Sequence, residues 1–294
     1  MKLMGIGDEA GDAIESQLAA TLELGWNHIE PRTVLVREFP KANLHDIPDE
    51  AFDLVARKLD LAGVKIYCFG SAIMNWSKRI GDAFEPTLAE VKRAIPRMQR
   101  TGSKFVRIMS YKPEEEDYRI PPEVFRRVKE VTNRFLDAGI QPVHENCMNY
   151  GGMSWQHALE LLDKCPGLKW VFDTGNPIFN PDRSRPKPWP KQDPWEFWIN
   201  VREHVAHIHV KDVVQDGTTG KERYVFPDEG LARVQDVLKD LVARGYAGGI
   251  SIEPHMVAVF HDAQNEPVNK DARKRKNFVE YGRRIEDLIA GIRR

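Results

Sequence analysis

Cysteine is scarce in this chain: Cys68, Cys147 and Cys165 are the only three in 294 residues. So sparse and odd a set argues against a disulfide framework and for a reducing compartment. No pair has zinc-finger spacing. An excess of one charge sign is also missing. The 43 basic and 44 acidic side chains leave a net charge of -1, which gives no electrostatic footprint for nucleic acid or an anionic membrane. No stretch approaches the roughly 18 apolar residues of a membrane span. The N-terminus, MKLMGIGDEAGD, is acidic and lacks the apolar run of a signal peptide. A cytoplasmic location is therefore expected. Nucleotide loops are absent too: no strand opens a helix with GxGxxG or GxxxxGK[ST].

What is present is a regular alternation. Short apolar runs, rich in β-branched and aromatic residues, take turns with longer segments of helical periodicity, several closed by glycine. The runs fall at residues 2–8, 28–32, 65–71, 104–110, 141–147, 168–176, 204–213 and 248–255. The helical patterns fall near 13–25, 47–62, 86–101, 122–138, 154–165, 193–204, 230–244 and 273–292. Strand–helix alternation requires parallel strands with crossover helices. An open doubly wound sheet and a closed barrel both satisfy it. Eight such units in a chain of this length favour the α/β class with a (β/α)8 barrel, as a single domain over 1–294. The Pro- and Trp-rich stretch 177–195, and the segments 214–229 and 256–272, read as long loops after strands 6, 7 and 8. That is the face where barrels place their sites.

Strand ends carry the chemistry. Strand 2 ends in Glu30, strand 5 in Glu145, strand 6 in Asp173, and strand 8 in Glu253, followed by His255; strand 7 holds His207 and His209. Burying such groups unpaired is costly, so four consecutive strands delivering a carboxylate or imidazole to one rim point to a metal. A hard set dominated by oxygen suits Mn²⁺ first, with Mg²⁺, Co²⁺ and Zn²⁺ compatible. Period-2 geometry puts His207, His209 and Lys211 on one face of strand 7, and Glu253 and His255 on one face of strand 8. Lys211 and His255 would then sit nearer the mouth, placed to grip a substrate. Arg107, on strand 4, is a candidate substrate anchor. Glu30 divides between a substrate or supporting contact and a structural pair with Arg32. Asp212 reads as an orienting or ion-pairing residue.

The bland readings cover the rest. His28, His45, His157, His204 and His261 are expected to be ordinary surface or core histidines, and Cys147 structural. KPEEED (112–117) and DARKRK (271–276) read as solvated charge. Trp189 and Trp195 lie in the long rim loop, where an aromatic face suits a sugar.

In order along the chain, GDEAGDAIESQLAATLELGWNHIEPR, HENC, FDTGN, HIHVKD and SIEPH resemble the motifs of the xylose-isomerase-like TIM-barrel superfamily. This is the group of sugar isomerases and epimerases related to type IV apurinic endonucleases. The resemblance spans nearly the whole chain and implies that Glu145, Asp173, His209 and Glu253 hold one divalent ion. It selects His209 over His207 because His209 directly precedes Val210-Lys211-Asp212. It also implies that Glu145 and Glu253 act as acid and base on opposite faces of a small sugar or keto-sugar. The chain departs from the family's DTxH pattern at Asn176, which stands where many members have histidine. Asparagine suits a substrate contact better than a further zinc, which argues against the apurinic endonuclease alternative and a nucleic-acid partner. The expected activity is proton transfer beside a carbonyl through an enediolate. Two rivals accompany it: a lyase or deglycosidase acting on 3-keto-glycosides, C-glycosides included, by the same chemistry, and a non-catalytic barrel that binds sugar or serves as a partner subunit. A homo-oligomer is compatible with each.

Overall fold

A computed structural model describes residues 1–216, 221–256 and 270–294. Eight short strands form the barrel: β1 (Lys2–Gly5), β2 (His28–Ile29), β3 (Lys65–Ile66, resuming at Cys68–Phe69), β4 (Phe105–Ile108), β5 (Gln141–Glu145), β6 (Lys169–Asp173), β7 (Val205–Val210) and β8 (Gly249–Ile252). The second half of β3 runs through β4, β5, β6, β7 and β8 to β1 as one seven-stranded parallel sheet. The first half of β3 pairs with β2. The circle closes where Ile6 bridges Glu30, with Gly7 N donating to Glu30 O at 2.9 Å and Glu30 N to Gly5 O at 3.1 Å.

Helices follow their strands: α1 (Ile14–Glu23), α2 (Asp49–Ala62), α3 (Glu85–Thr101), α4 (Pro122–Asp137), α5 (Trp155–Lys164), α6 (Pro194–Val201), α7 (Val234–Ala243) and α8 (Lys270–Arg293). Their apolar faces pack on the outside of the sheet and form one continuous core. Ser154 and Asp193 cap α5 and α6 through their side chains, satisfying backbone N–H groups that no helical carbonyl can reach. No helix among the described residues is long and apolar enough to cross a membrane.

The inside of the barrel carries apolar side chains toward its lower end. Cys68, Val143 and Val171 form a small separate cluster flanked by Tyr67, Phe105 and Ala206. Gly249 permits this floor, because a Cβ there would lie 2.4 Å from the Tyr67 ring and 2.8 Å from His207 Nδ1. Since successive side chains alternate faces, the next inward layer falls on Glu30, Arg107, Glu145, Asp173 and His209. The floor lies toward the N-terminal ends of the strands, and this charged layer lies toward their C-terminal ends.

Two features correct the sequence reading. Residues 30–48 carry a hairpin, Thr33–Val36 with Phe39–Asn43. The segment expected to be a plain loop after strand 7 contains another, Asp212–Gln215 with Glu222–Val225. Asp212 anchors the latter's base by accepting from the backbone N–H groups of Val213, Asp228, Gly230 and Ala232. Its role is to order the loop, not to make an ion pair. Most of the loop expected over 256–272, and His261 within it, lies outside the described residues.

Candidate metal centre

The ends of β5 to β8 bring Glu145, Asp173, His209 and Glu253 together. Each is buried, and each offers one donor atom such that all four lie within 4.8 Å of one another. The register explains the convergence: His209 is level with Asp173 on one side and with Ser251 on the other, two residues before Glu253. Asp173 Oδ1 is held by the backbone N–H groups of Gly175 (2.9 Å) and Asn176 (2.7 Å) at the start of a single helical turn, Asn176–Phe179. Asn146 braces the same residue from β5, accepting from Asp173 N at 2.7 Å and donating to Asp173 O at 2.9 Å. Asp173 Oδ2 is left without a hydrogen bond, although Lys211 Nζ lies 3.2 Å away.

His209 is oriented from behind. Its Nε2 lies 3.1 Å from both oxygens of Glu30, and a carboxylate only accepts, so Nε2 carries the proton and Nδ1 faces the cup. Nδ1 has no hydrogen-bond partner and lies 3.7 Å from Glu145 Oε1. His207 differs, with both nitrogens engaged: Nε2 is 2.7 Å from Glu30 and Nδ1 is 3.0 Å from Gly249 O. Ser251 Oγ also donates to Glu30, at 2.6 Å. Glu30 is fully buried beneath these three groups. It does not face the mouth, as a substrate contact would require, and it does not pair with Arg32.

The other residues expected to grip a substrate are turned onto the carboxylates. Arg107 Nη1 donates to Glu145 Oε2 at 3.0 Å, and Asn176 Nδ2 to Glu145 Oε1 at 3.1 Å. Lys211 Nζ donates to Glu253 Oε2 at 3.0 Å. His255 lies with Nε2 3.1 Å from Glu253 Oε1 and Nδ1 3.0 Å from Glu9 Oε1. The physical reason is the cost of burial: a charge removed from water takes the nearest opposite charge. Gly175 makes room for the lysine, because a Cβ there would lie 2.5 Å from Lys211 Cγ.

Sequence reasoning missed three contributors. Arg32 donates from Nη1 to Glu253 at 2.6 Å and from Nη2 to Glu9 at 2.7 Å, while its Nε lies 3.0 Å from Asp8. Asp8 and Glu9, at the end of the first apolar run, were not expected at the site and supply two of its partners. Tyr224, on the second hairpin, packs 5.0 Å from the His255 ring and 5.5 Å from Phe179. This is the aromatic wall beside the cup. Trp189 instead lies against Arg183 and Lys187, and Trp195 packs on the core with Arg233 over it.

Two buried atoms without a hydrogen bond, Asp173 Oδ2 and His209 Nδ1, lie within 4.8 Å of donor atoms from two further carboxylates. This donor set fits a divalent cation. The proton affinities agree. Burial raises the Asp173 carboxyl to about 7, Lys211 opposes the rise, and Glu253 and Glu145 add to it. Burial pulls the His209 imidazole down, but Glu30 and Glu145 lift it to about 10. For Glu145, burial is outweighed by Arg107 and His209, which hold it at about 2. Protons thus occupy positions that a cation would take. Divalent-metal uptake near pH 7 should release roughly one proton or more per ion and strengthen as pH rises through 7. Titration calorimetry in buffers of different ionisation enthalpy measures this, and an uptake that releases no protons contradicts it.

The fold and site together define the class: a closed eight-stranded α/β barrel with a buried carboxylate–histidine cup, a candidate metal site, at its C-terminal rim. The xylose isomerase-like TIM barrel profile matches residues 18–279, and the chain belongs to that family. No curated protein matches the sequence. Solved structures match the fold at low identity. A xylose isomerase-like TIM barrel protein from Mycobacterium smegmatis in complex with magnesium is 16% identical, with 99% of this chain and 97% of that chain covered and a TM-score of 0.64. The probable 3-DHS dehydratase AsbF from Bacillus anthracis is 13% identical over 97% and 99%, at 0.69. A D-allulose 3-epimerase from Methylomonas sp. is 12% identical over 98% and 98%, at 0.62.

Proposed function

We propose that this chain is a divalent-metal-dependent enzyme that moves a proton beside the carbonyl of a sugar or keto-sugar, as an epimerase or isomerase. The observation that carries the reading is the convergence of Glu145, Asp173, His209 and Glu253, with two of their donor atoms buried and without a hydrogen bond. A divalent ion held by these four would be Mn²⁺ first, with Mg²⁺, Co²⁺ or Zn²⁺ as substitutes, and would polarise the carbonyl and adjacent hydroxyl as a Lewis acid.

The chain's own residues supply the proton traffic. Glu145 ends β5 and Glu253 follows β8, with two strands between them, so their carboxylates approach a bound carbon from different sides. One removes the proton and the other delivers it, to the opposite face for epimerisation or to the neighbouring carbon for isomerisation. Arg107 and Asn176 fix the rotamer of Glu145; Arg32, Lys211 and His255 fix that of Glu253. Positioning of this kind lowers the entropic cost of the transfer. Tyr224 covers one side of the cup, which limits water at the reacting carbon.

The same carbanion can expel a leaving group. The neighbour named as a probable dehydratase keeps elimination, including cleavage of 3-keto-glycosides, as the second reading. One experiment separates the two: metal-loaded protein in D₂O with ketoses, keto-inositols and 3-keto-glycosides, followed by NMR and mass spectrometry. Deuterium entering one carbon of an otherwise intact sugar is expected. Release of an aglycone or water selects elimination. Metal-loaded protein that exchanges and cleaves nothing contradicts both.

A further inference from the structure

The cationic side chains of the cup are already spoken for. Arg32 faces Asp8, Glu9 and Glu253. Arg107 faces Glu145, and its other terminal nitrogen donates to the carbonyls of Gly70 and Ser71. Lys211 faces Asp173 and Glu253. Together with Glu30, six carboxylates stand against three permanent cations. Each of these three cations already faces a carboxylate.

The cations of the loop after β6 are engaged as well. In the loop after β6, Arg183 is turned onto the backbone carbonyls of Glu114, Glu115 and Asp117. Lys187 pairs with Glu116, Arg185 with Asp182 and Glu196, and Lys191 with Glu222. Arg223 precedes Tyr224 on its strand and so points to the opposite face from the ring that meets His255. The two stretches outside the described residues, 217–220 and 257–269, contain no lysine or arginine. A phosphate or carboxylate entering this cup would lose its water and meet no unpaired cationic side chain among those named, which is unfavourable. A neutral polyol faces no such cost, and its apolar ring face matches the exposed side of Tyr224.

We infer that the cup takes an uncharged polyhydroxylated carbonyl compound and discriminates against phosphorylated and carboxylated counterparts. The inference rests on the proposed function for the location of the site, but it is read by binding, not turnover. Calorimetry on metal-loaded protein would compare neutral ketoses and keto-inositols with fructose 6-phosphate and a 2-keto-aldonic acid. The neutral members are expected to bind at least about tenfold more tightly than the charged ones. Glu9→Gln, which strips a carboxylate from Arg32 and His255, should narrow that gap several-fold. A charged member that binds as well as its neutral counterpart overturns the inference. So does a panel in which no neutral member binds, or a Glu9→Gln protein with an unchanged preference. Selective binding without deuterium exchange would remove the proposed chemistry and leave this inference standing.

Discussion

Glu145→Gln and Glu253→Gln will each lower kcat/KM for proton exchange by roughly 10²–10⁴-fold, the usual contribution of a positioned acid or base, while the fold persists. Glutamine keeps the shape of each side chain and one carbonyl oxygen for its neighbours, but it cannot take a proton from carbon. The two variants should differ in detail. At Glu145 the new amide has Arg107 on one side and Asn176 on the other, both donors, so one of its two ends must lose a bond. At Glu253 three cationic groups converge on the carboxylate, and its neutralisation leaves Arg32, Lys211 and His255 in mutual repulsion. Glu253→Gln should therefore also weaken metal-free stability more than Glu145→Gln does. Deuterium incorporation, metal content and thermal melts on the same preparations test both statements. Near-normal exchange in both variants would sink the two-glutamate mechanism.

The second large effect is structural in origin. Glu30→Ala should destabilise the protein by about 3–5 kcal/mol, because it removes one partner from a fully buried charged cluster. His207 Nε2, His209 Nε2 and Ser251 Oγ all lose their acceptor at once. At roughly 2–4 °C per kcal/mol for a chain somewhat smaller than this one, the melting temperature should fall by on the order of 10 °C. Metal affinity should drop about 10–100-fold, the typical cost of losing the group that orients a ligating histidine. Glu30→Gln keeps the volume and one acceptor, so it should recover much of the stability but less of the affinity. That split would separate packing from orientation. An unchanged melting temperature with unchanged metal affinity in Glu30→Ala would show that the Glu30 contacts carry neither.

The barrel was readable because its signals are local. Apolar runs of β-branched residues and 3.6-residue periodicity alternate eight times, and glycines at positions 63 and 102 adopt positive φ where α2 and α3 end. The four converging residues were readable for a related reason: each stands at the end of its own strand, and adjacent parallel strands must present those ends to one rim. The hairpins were not readable. Thr33–Val36 and Phe39–Asn43 are short and partly exposed, so they lack the apolar run that marks a barrel strand.

Charge pairing lies on the other side of the divide. His207 and His209 have the same residue type, strand and face, so strand alternation does not tell them apart, and only the motif resemblance pointed to His209. Only Gly249 O and Glu30, reached across the barrel, occupy both nitrogens of one and leave Nδ1 of the other bare. Arg32 and Glu253 are 221 residues apart, and no periodicity links them. The chain by itself determined the scaffold and the placement of ligand-type residues, because backbone geometry repeats over a few residues. The tertiary structure alone decided which charges neutralise which, because the electrostatic cost of burial is settled by whatever group lies nearest in space.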